Sequence, residues 1–229
     1  MISPSPRSGE KEFYLQHFRR RAIVIHAGSC EWLEQITGVL DQLVANETLV
    51  VVSLPGDCGR DDPVTVREAD LRGAAASLIE LSTRLLDRGI AHAAGPAKLG
   101  AARRIGFSCR LALRLRAHKL VVVDSRGGLR DGSGVRSFVT AAQLGEGREG
   151  DHDGWTPAEL AEVRDAAEAG VESVNLAAPA ELGAELFTYE GAGTLVTAGE
   201  YASVEPLGVD DFPEALALLE RGEGEGFLL

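Results

Sequence analysis

Between residues 22 and 55 the chain reads apolar, amphipathic, apolar. "AIVIHAG" (22–28) is a buried strand ending in a turn. "CEWLEQITGVLDQLVAN" then puts Trp32, Leu33, Ile36, Val39, Leu40 and Leu43 on one stripe, the pattern of a helix packed on a sheet. "TLVVVSLPGD" is a second continuously apolar run, as expected of a strand covered on both faces. Strand, helix and strand at this spacing make a βαβ unit with a parallel sheet.

The same reading extends along the chain. "EFYLQHFRRR" places Phe13, Tyr14 and Phe18 within a helical period and predicts a short helix after a tail over residues 1–11. "GRDDPVTVREAD" is a polar connection, followed by a long helix ending near Arg88, and a second helical run lies within "AKLGAARRIGFSCRLALRLRAH". "KLVVVD" (119–124) is a strand, "GGLRDGSGVRSF" carries the glycine-bearing turns of a hairpin, and "GEGREGDHDG" is an acidic loop. In "TPAELAEVRDAAEAG", Thr156 is placed to cap a helix, with Pro157 in its first position and Glu159 completing a capping box. "VESVNLA" follows as a strand. The expected fold class is α/β, a mainly parallel sheet sandwiched by helices, with one domain over residues 12–202. In residues 203–229, "DDFPEALALLE" predicts a terminal helix before a glycine–glutamate run.

One stretch resists a simple assignment. "ELFTYEGAGTLV" (185–196) starts as a helix end, passes through two glycines around an alanine and finishes β-rich. Glycines so placed either let backbone N–H groups converge on something or turn the chain tightly.

Composition narrows the functional classes. The 229 residues carry a formal net charge of -12, which argues against a broad nucleic-acid footprint and against an anionic membrane as partner. No apolar run reaches the roughly 18 residues of a membrane span, and the first residues lack the apolar core of a signal peptide. Cys30, Cys58 and Cys109 lack the spacing of a disulfide framework or a zinc site, and are expected as reduced thiols of a cytoplasmic protein.

Candidate chemistry is sparse. His26 stands where a strand meets a helix, and "AGS" beside it either offers N–H groups to a phosphate or is a small-residue turn. From Arg88 through Lys119 there is no Asp or Glu, yet Lys98, Arg103, Arg104, Arg110, Arg114 and Arg116 occur. Such a run either lines an anionic ligand site or forms the solvated face of a helix. Asp124 closes its strand where a ribose or metal contact, or a turn cap, would sit. No local triad, Walker sequence or metal-ligand spacing is present, so no catalytic residue, metal ligand or cofactor is assigned.

"KLVVVDSRGGLRDGSG", "AEVRDAAEAGVESVNL" and "AELFTYEGAGTLV", in that order, resemble the later half of the amino acid kinase family. The likeness is nearest to acetylglutamate kinases and to the kinase-like domain of bacterial N-acetylglutamate synthases. "YASVEPLGVDDFPEALALLERGEGEGFLL" resembles the opening of the acetyltransferase domain that follows in those synthases, so residues 203–229 are expected to be its remnant. The departures matter as much. "IHAGS" stands where the family has a lysine and paired glycines, "SLPGD" where it has a glycine triplet, and Ala158 at about the position of the catalytic lysine. The middle of the chain is also short for the family's substrate lid. Phosphoryl transfer needs groups that hold and neutralise phosphates, so their joint loss implies a catalytically degenerate domain.

The resemblance also implies a role for the resistant stretch. In arginine-sensitive members an N-terminal helix and this segment flank L-arginine, which maps a candidate effector site onto Tyr14, Asn175, Glu185, Gly191, Gly193 and Thr194. It further implies a homo-oligomer, an acetyltransferase partner and a regulatory or scaffolding role in arginine biosynthesis. Two alternatives stay open. One is an active acetylglutamate-kinase-like enzyme binding ATP around Asp124, Gly128 and Asp131; the other is a fragment of a full-length synthase.

Overall fold

The computed structural model describes residues 8–56, 58, 63–96, 98–146 and 154–199, together with Pro213, Leu216, Ala217, Leu219 and Glu220. Two compact units divide the chain, Met1–Gly199 and Glu200–Leu229. The five described positions of the second unit are helical, in the stretch expected as a terminal helix; the rest of residues 203–229 lies outside the described residues.

The first unit begins with α1 (Ser8–Phe18), β1 (Ala22–Ala27), α2 (Cys30–Ala45) and β2 (Leu49–Pro55). It continues through β3 (Val64–Thr65), α3 (Ala76–Arg88), β4 (Ile90–Gly95), α4 (Ala101–Arg114) and β5 (Lys119–Val123). After the hairpin of β6 (Arg130–Asp131) and β7 (Gly134–Val135) come β8 (Phe138–Thr140), α5 (Ala141–Glu146) and α6 (Pro157–Glu168). Last are β9 (Ser173–Ala177), α7 (Leu182–Phe187) and β10 (Thr194–Thr197). Helix α1 takes in residues 8–11, which had been expected in a terminal tail.

Eight strands form one sheet in the order β3-β4-β2-β1-β5-β9-β10-β8. Pairing is parallel throughout except between β9 and β10. The central strands are buried on both faces, as their unbroken apolar runs require. Alternation divides the core in two. Ile23, Ile25, Val50, Val52, Val121 and Val123 pack with α1, α2 and α7, whereas Val24, Val51, Leu120 and Val122 pack with α3, α4, α5 and α6.

Local signals set the helix ends. The Ser29 side chain accepts from the Trp32 N–H at the start of α2. Thr156 and Glu159 make the reciprocal capping box expected for α6. Gly89 ends α3 at φ 72°.

Strand β4 escaped the sequence reading because "IAHAAG" is rich in alanine, a poor strand former. Its partners supply the order: it pairs with β2 over six positions and with β3 over two. The cysteine expectation is corrected as well. Cys30 and Cys58 form a disulfide across 28 residues of sequence, leaving only Cys109, which is buried, as a free thiol. Cys30 opens α2 beyond the end of β1, and Cys58 lies beyond the end of β2. Because β1 and β2 are adjacent and parallel, the two cysteines meet at the same sheet edge, a proximity that spacing alone does not display.

Candidate functional site

Glu185, on the six-residue helix α7, organises the glycine-bearing stretch. Thr188 ends that helix; its hydroxyl donates to the Ala184 carbonyl at 2.7 Å and accepts from the Gly191 N–H at 3.1 Å. Gly191 takes φ +63°, and the chain folds back so that the N–H groups of Ala192 (2.9 Å) and Gly193 (2.6 Å) both donate to Glu185 Oε2. The group on which the backbone converges is therefore a carboxylate of the protein itself. A Cβ at Gly193 would lie 2.1 Å from the Leu176 carbonyl oxygen, and one at Gly191 would lie 2.7 Å from Glu185 Oε2. These glycines are needed for close approach, not only for turning.

The other carboxylate oxygen, Oε1, accepts from Asn175 Nδ2. Asn175 Oδ1 accepts in turn from Lys119 Nζ at 2.7 Å. Lys119 opens β5 and Asn175 lies in β9, both turned toward the α1, α2 and α7 face. Burial pulls the Lys119 ammonium down to about 8, against the opposing pull of Glu185 and Glu172. Helix α1 packs along α7: the Glu10 carboxylate accepts from the Tyr189 N–H, and Lys11 Nζ lies 5.4 Å from the centre of the Phe187 ring. Tyr14 is half-buried in the same apolar cluster as Phe18, Leu186 and Phe187.

Of the six effector positions expected from sequence, the structure links Asn175, Glu185 and Gly193 through one hydrogen-bonded group, packs Gly191 close to the same carboxylate while its N–H donates to Thr188, and sets Tyr14 on the neighbouring helix. Thr194 is turned elsewhere. Its hydroxyl donates to the Arg136 carbonyl (2.6 Å) and accepts from the Leu129 N–H (2.8 Å), tying β10 to the loop after β5. Lys119 was missed as a member of this cluster. Its signal was available, a lysine opening an otherwise apolar buried strand, but only the register of β5 on β9 shows its partner.

The carboxyl edge of the sheet, where open α/β sheets take ligands, is built differently. His26 of β1 is 5% exposed, and its Nδ1 is 2.9 Å from Ser108 Oγ, which donates to Ser53 Oγ at 2.7 Å. Burial first, and the Arg104 charge second, push His26 down to about 4, so it is neutral at pH 7. Gly28, in the "AGS" turn, lies under the Trp32 indole, since a Cβ there would be 2.5 Å from the ring. The "AGS" turn, one reading of which was a phosphate contact, is thus covered by an aromatic ring and flanked by the disulfide.

The nucleotide-binding alternative rested on Asp124, Gly128 and Asp131. Asp124 receives two side-chain bonds from Arg126, at 2.7 and 2.8 Å, and the Arg126 N–H at 3.0 Å. Burial opposes the Asp124 carboxylate, yet these donors hold it below its usual range. Arg126 also donates to both oxygens of Glu159 and stacks 3.9 Å from the Trp155 ring centre. Gly128 packs against the Gly193 backbone, with only 2.7 Å available to a Cβ. Asp131 is exposed in the β6–β7 hairpin, where it accepts from the Ser133 N–H at 2.8 Å. Each of the three has a local structural partner, and Arg126, Glu159 and Trp155 are the members that sequence reasoning overlooked.

No family model matches the chain. An amino-acid acetyltransferase of Azotobacter vinelandii is 34% identical over 128 residues, covering 52% of this chain and 29% of that protein. The chain therefore spans less than a third of the curated relative it matches. Among solved structures, N-acetylglutamate synthase of Neisseria gonorrhoeae complexed with coenzyme A and L-arginine superposes with a TM-score of 0.64 at 15% identity, over 93% of this chain and 70% of the other. The same enzyme complexed with coenzyme A and N-acetyl-glutamate gives 0.62 at 18% identity, over 95% and 69%. At these identities the structural likeness establishes the fold, an amino acid kinase-like α/β fold, and the sequence match to an acetyltransferase points to the same relationship.

Proposed function

We propose that this chain is the amino-acid-kinase-like part of an N-acetylglutamate-synthase-type protein, without phosphoryl-transfer activity, and that it serves arginine biosynthesis as an L-arginine-responsive regulatory or scaffolding module. The observation that carries the reading is the Lys119–Asn175–Glu185 chain closed by the Ala192 and Gly193 N–H groups beside α1. A carboxylate has about four acceptor sites; Asn175 and the loop fill three of those on Glu185. The remaining one suits a guanidinium or ammonium, and the partly buried Lys119 ammonium, which donates to Asn175 Oδ1 among the described residues, suits the carboxylate of an amino acid. The arginine-bound synthase of similar fold supports the choice of ligand. Assembly into a homo-oligomer and pairing with an acetyltransferase go with this reading. So does a cytoplasmic setting, against which the Cys30–Cys58 bridge stands as the discordant feature.

The test is thermal unfolding with L-arginine, with ornithine and Mg-ATP as comparison ligands. Arginine at about a hundred times its dissociation constant should stabilise the fold by about 2.7 kcal/mol, and Glu185→Ala should abolish the increment. No response to arginine would sink the sensing role. A response to Mg-ATP alone would reinstate the kinase alternative.

A further inference from the structure

The three cysteines sit in two kinds of environment. Cys109 is buried, and burial pushes its thiol far up, which keeps it unreactive. Cys30 and Cys58 are bridged, yet Cys30 is exposed and Cys58 only half-buried, so the bridge lies open on the Cys30 side. Cys30 is the first residue of α2, and Cys58 rests against the apolar cluster that also holds the buried face of that helix. Cys58 does so at φ +47°, in the left-handed region that disfavours any residue with a side chain. The elements around the bridge have other means of support. β1 and β2 pair over five positions, α2 buries Leu33, Ile36, Leu40 and Leu43, and Ser29 caps its first turn.

We propose that Cys30 and Cys58 form a reversible redox switch, opened by a dithiol and closed by a disulfide oxidant. Oxidised, it ties the chain leaving β2 to the first turn of α2; reduced, it frees that chain, so the carboxyl ends of β1 and β2 have a tied and a free state. Exposed bridges and bridges that hold a strained backbone exchange readily, whereas buried structural ones resist the glutathione pool. In the opening step a thiolate of the reductant bonds to the exposed Cys30 Sγ, and the electron pair of the broken S–S bond leaves on Cys58 Sγ, which takes a proton. The second thiolate of the reductant then displaces Cys30 in the same way. Two electrons pass to the protein, and the dithiol ends as its own disulfide. Reduction also releases Cys58 from its left-handed conformation. Closure gives one pairing, because Cys109 is sealed in the core. The inference rests on the cytoplasmic setting proposed above, in which a disulfide is the exception and usually serves catalysis or redox sensing. It does not depend on arginine binding.

To test this, the intact protein is closed with oxidised glutathione and then treated with dithiothreitol in the absence of denaturant. Free thiols are trapped with iodoacetamide and located by mass spectrometry. Cys30 and Cys58 should become alkylated while Cys109 stays protected, and the rate should rise in proportion to dithiothreitol over about a tenfold range, since the reagent attacks the folded protein. Replacing the reductant with oxidised glutathione should restore the Cys30–Cys58 pair. Alkylation of Cys109 in step with the other two, or a rate independent of dithiothreitol, would mean that the bridge opens only through unfolding and is a permanent staple; either result overturns the proposal. So would Cys30 and Cys58 thiols that stay free after oxidised glutathione. No arginine is present, so these outcomes leave the L-arginine melt to decide the sensing role by itself.

Discussion

Two polar clusters occupy opposite faces and opposite ends of the same sheet. The Lys119–Asn175–Glu185 cluster, on the α1, α2 and α7 face, keeps a cation and an anion at the two ends of one amide and adds two backbone donors. The His26–Ser108–Ser53 cluster, on the α4 face, keeps a base that is neutral at pH 7 and has the Arg104 cation beside it, whose Nε has no hydrogen-bond partner among the described residues. Both bury polar side chains, but the first balances its charge internally and the second leaves positive charge over. A buried charge is tolerable when it is paired and hydrogen-bonded. The Glu185 cluster is therefore the more self-sufficient of the two in charge.

The largest expected difference between the regions comes from the disulfide, which staples the ends of β1 and β2 and leaves β9 and β10 untouched. Closing a loop of 28 residues restricts the unfolded chain by about 3.5 kcal/mol in the chain-entropy picture. Reduction, or a Cys30→Ser, Cys58→Ser double variant, should lower the melting temperature by about 10 °C. Hydrogen exchange should then accelerate mainly at the carboxyl ends of β1 and β2. Equal acceleration in β9 and β10 would show that the two regions open as one and would break the comparison.

The two buried bases sharpen it next. His26 falls from 6.5 to about 4, and Lys119 from 10.5 to about 8, each chiefly through burial. For a base depressed by folding, the unfolded chain holds more protons between the two values, so stability rises with pH across that window. The His26 penalty is fully present below pH 4 and gone above 6.5, a change of about 3 kcal/mol. The Lys119 penalty is present below pH 8 and lifts only toward 10.5. Measured against pH, His26→Gln should flatten the acid limb and leave the alkaline limb unchanged. Flattening of both limbs, or of neither, would mean that burial does not control these groups separately.

How much of this was legible beforehand varies with the range of the interaction. The apolar runs of β1, β2 and β5, the stripe of α2 and the Thr156–Glu159 box are local patterns, and all were readable. β4 was not, because its alanines carry little strand preference and its neighbours supply the order. The glycine-bearing stretch announced converging N–H groups, but not that Glu185, a few residues earlier, was their target. Lys119, the Arg126–Glu159 pair and the Cys30–Cys58 bridge depend on strand register and adjacency, which one sequence without its sheet does not contain. The acid-free run was visible as composition; which of its arginines would face a carboxylate was a matter of helix phase and of what the neighbouring elements carry.

The smallest expected effects lie within the Glu185 cluster, and their asymmetry tests its self-sufficiency. Glu185→Ala removes the acceptor for two loop N–H groups and for Asn175 Nδ2, and the counter-charge nearest Lys119. Water can replace part of this at a half-buried loop, so the loss should be about 2 kcal/mol. Lys119→Met removes a buried ammonium that burial already disfavours and leaves Glu185 its three donors, so the loss should stay below about 1 kcal/mol. Denaturant melts of both variants and their double mutant measure the coupling. If Lys119→Met costs as much as Glu185→Ala, the lysine is a structural counter-ion rather than a group held for a ligand carboxylate. If it costs little, yet removes the stabilisation by L-arginine, the cluster is a binding site that the fold can spare.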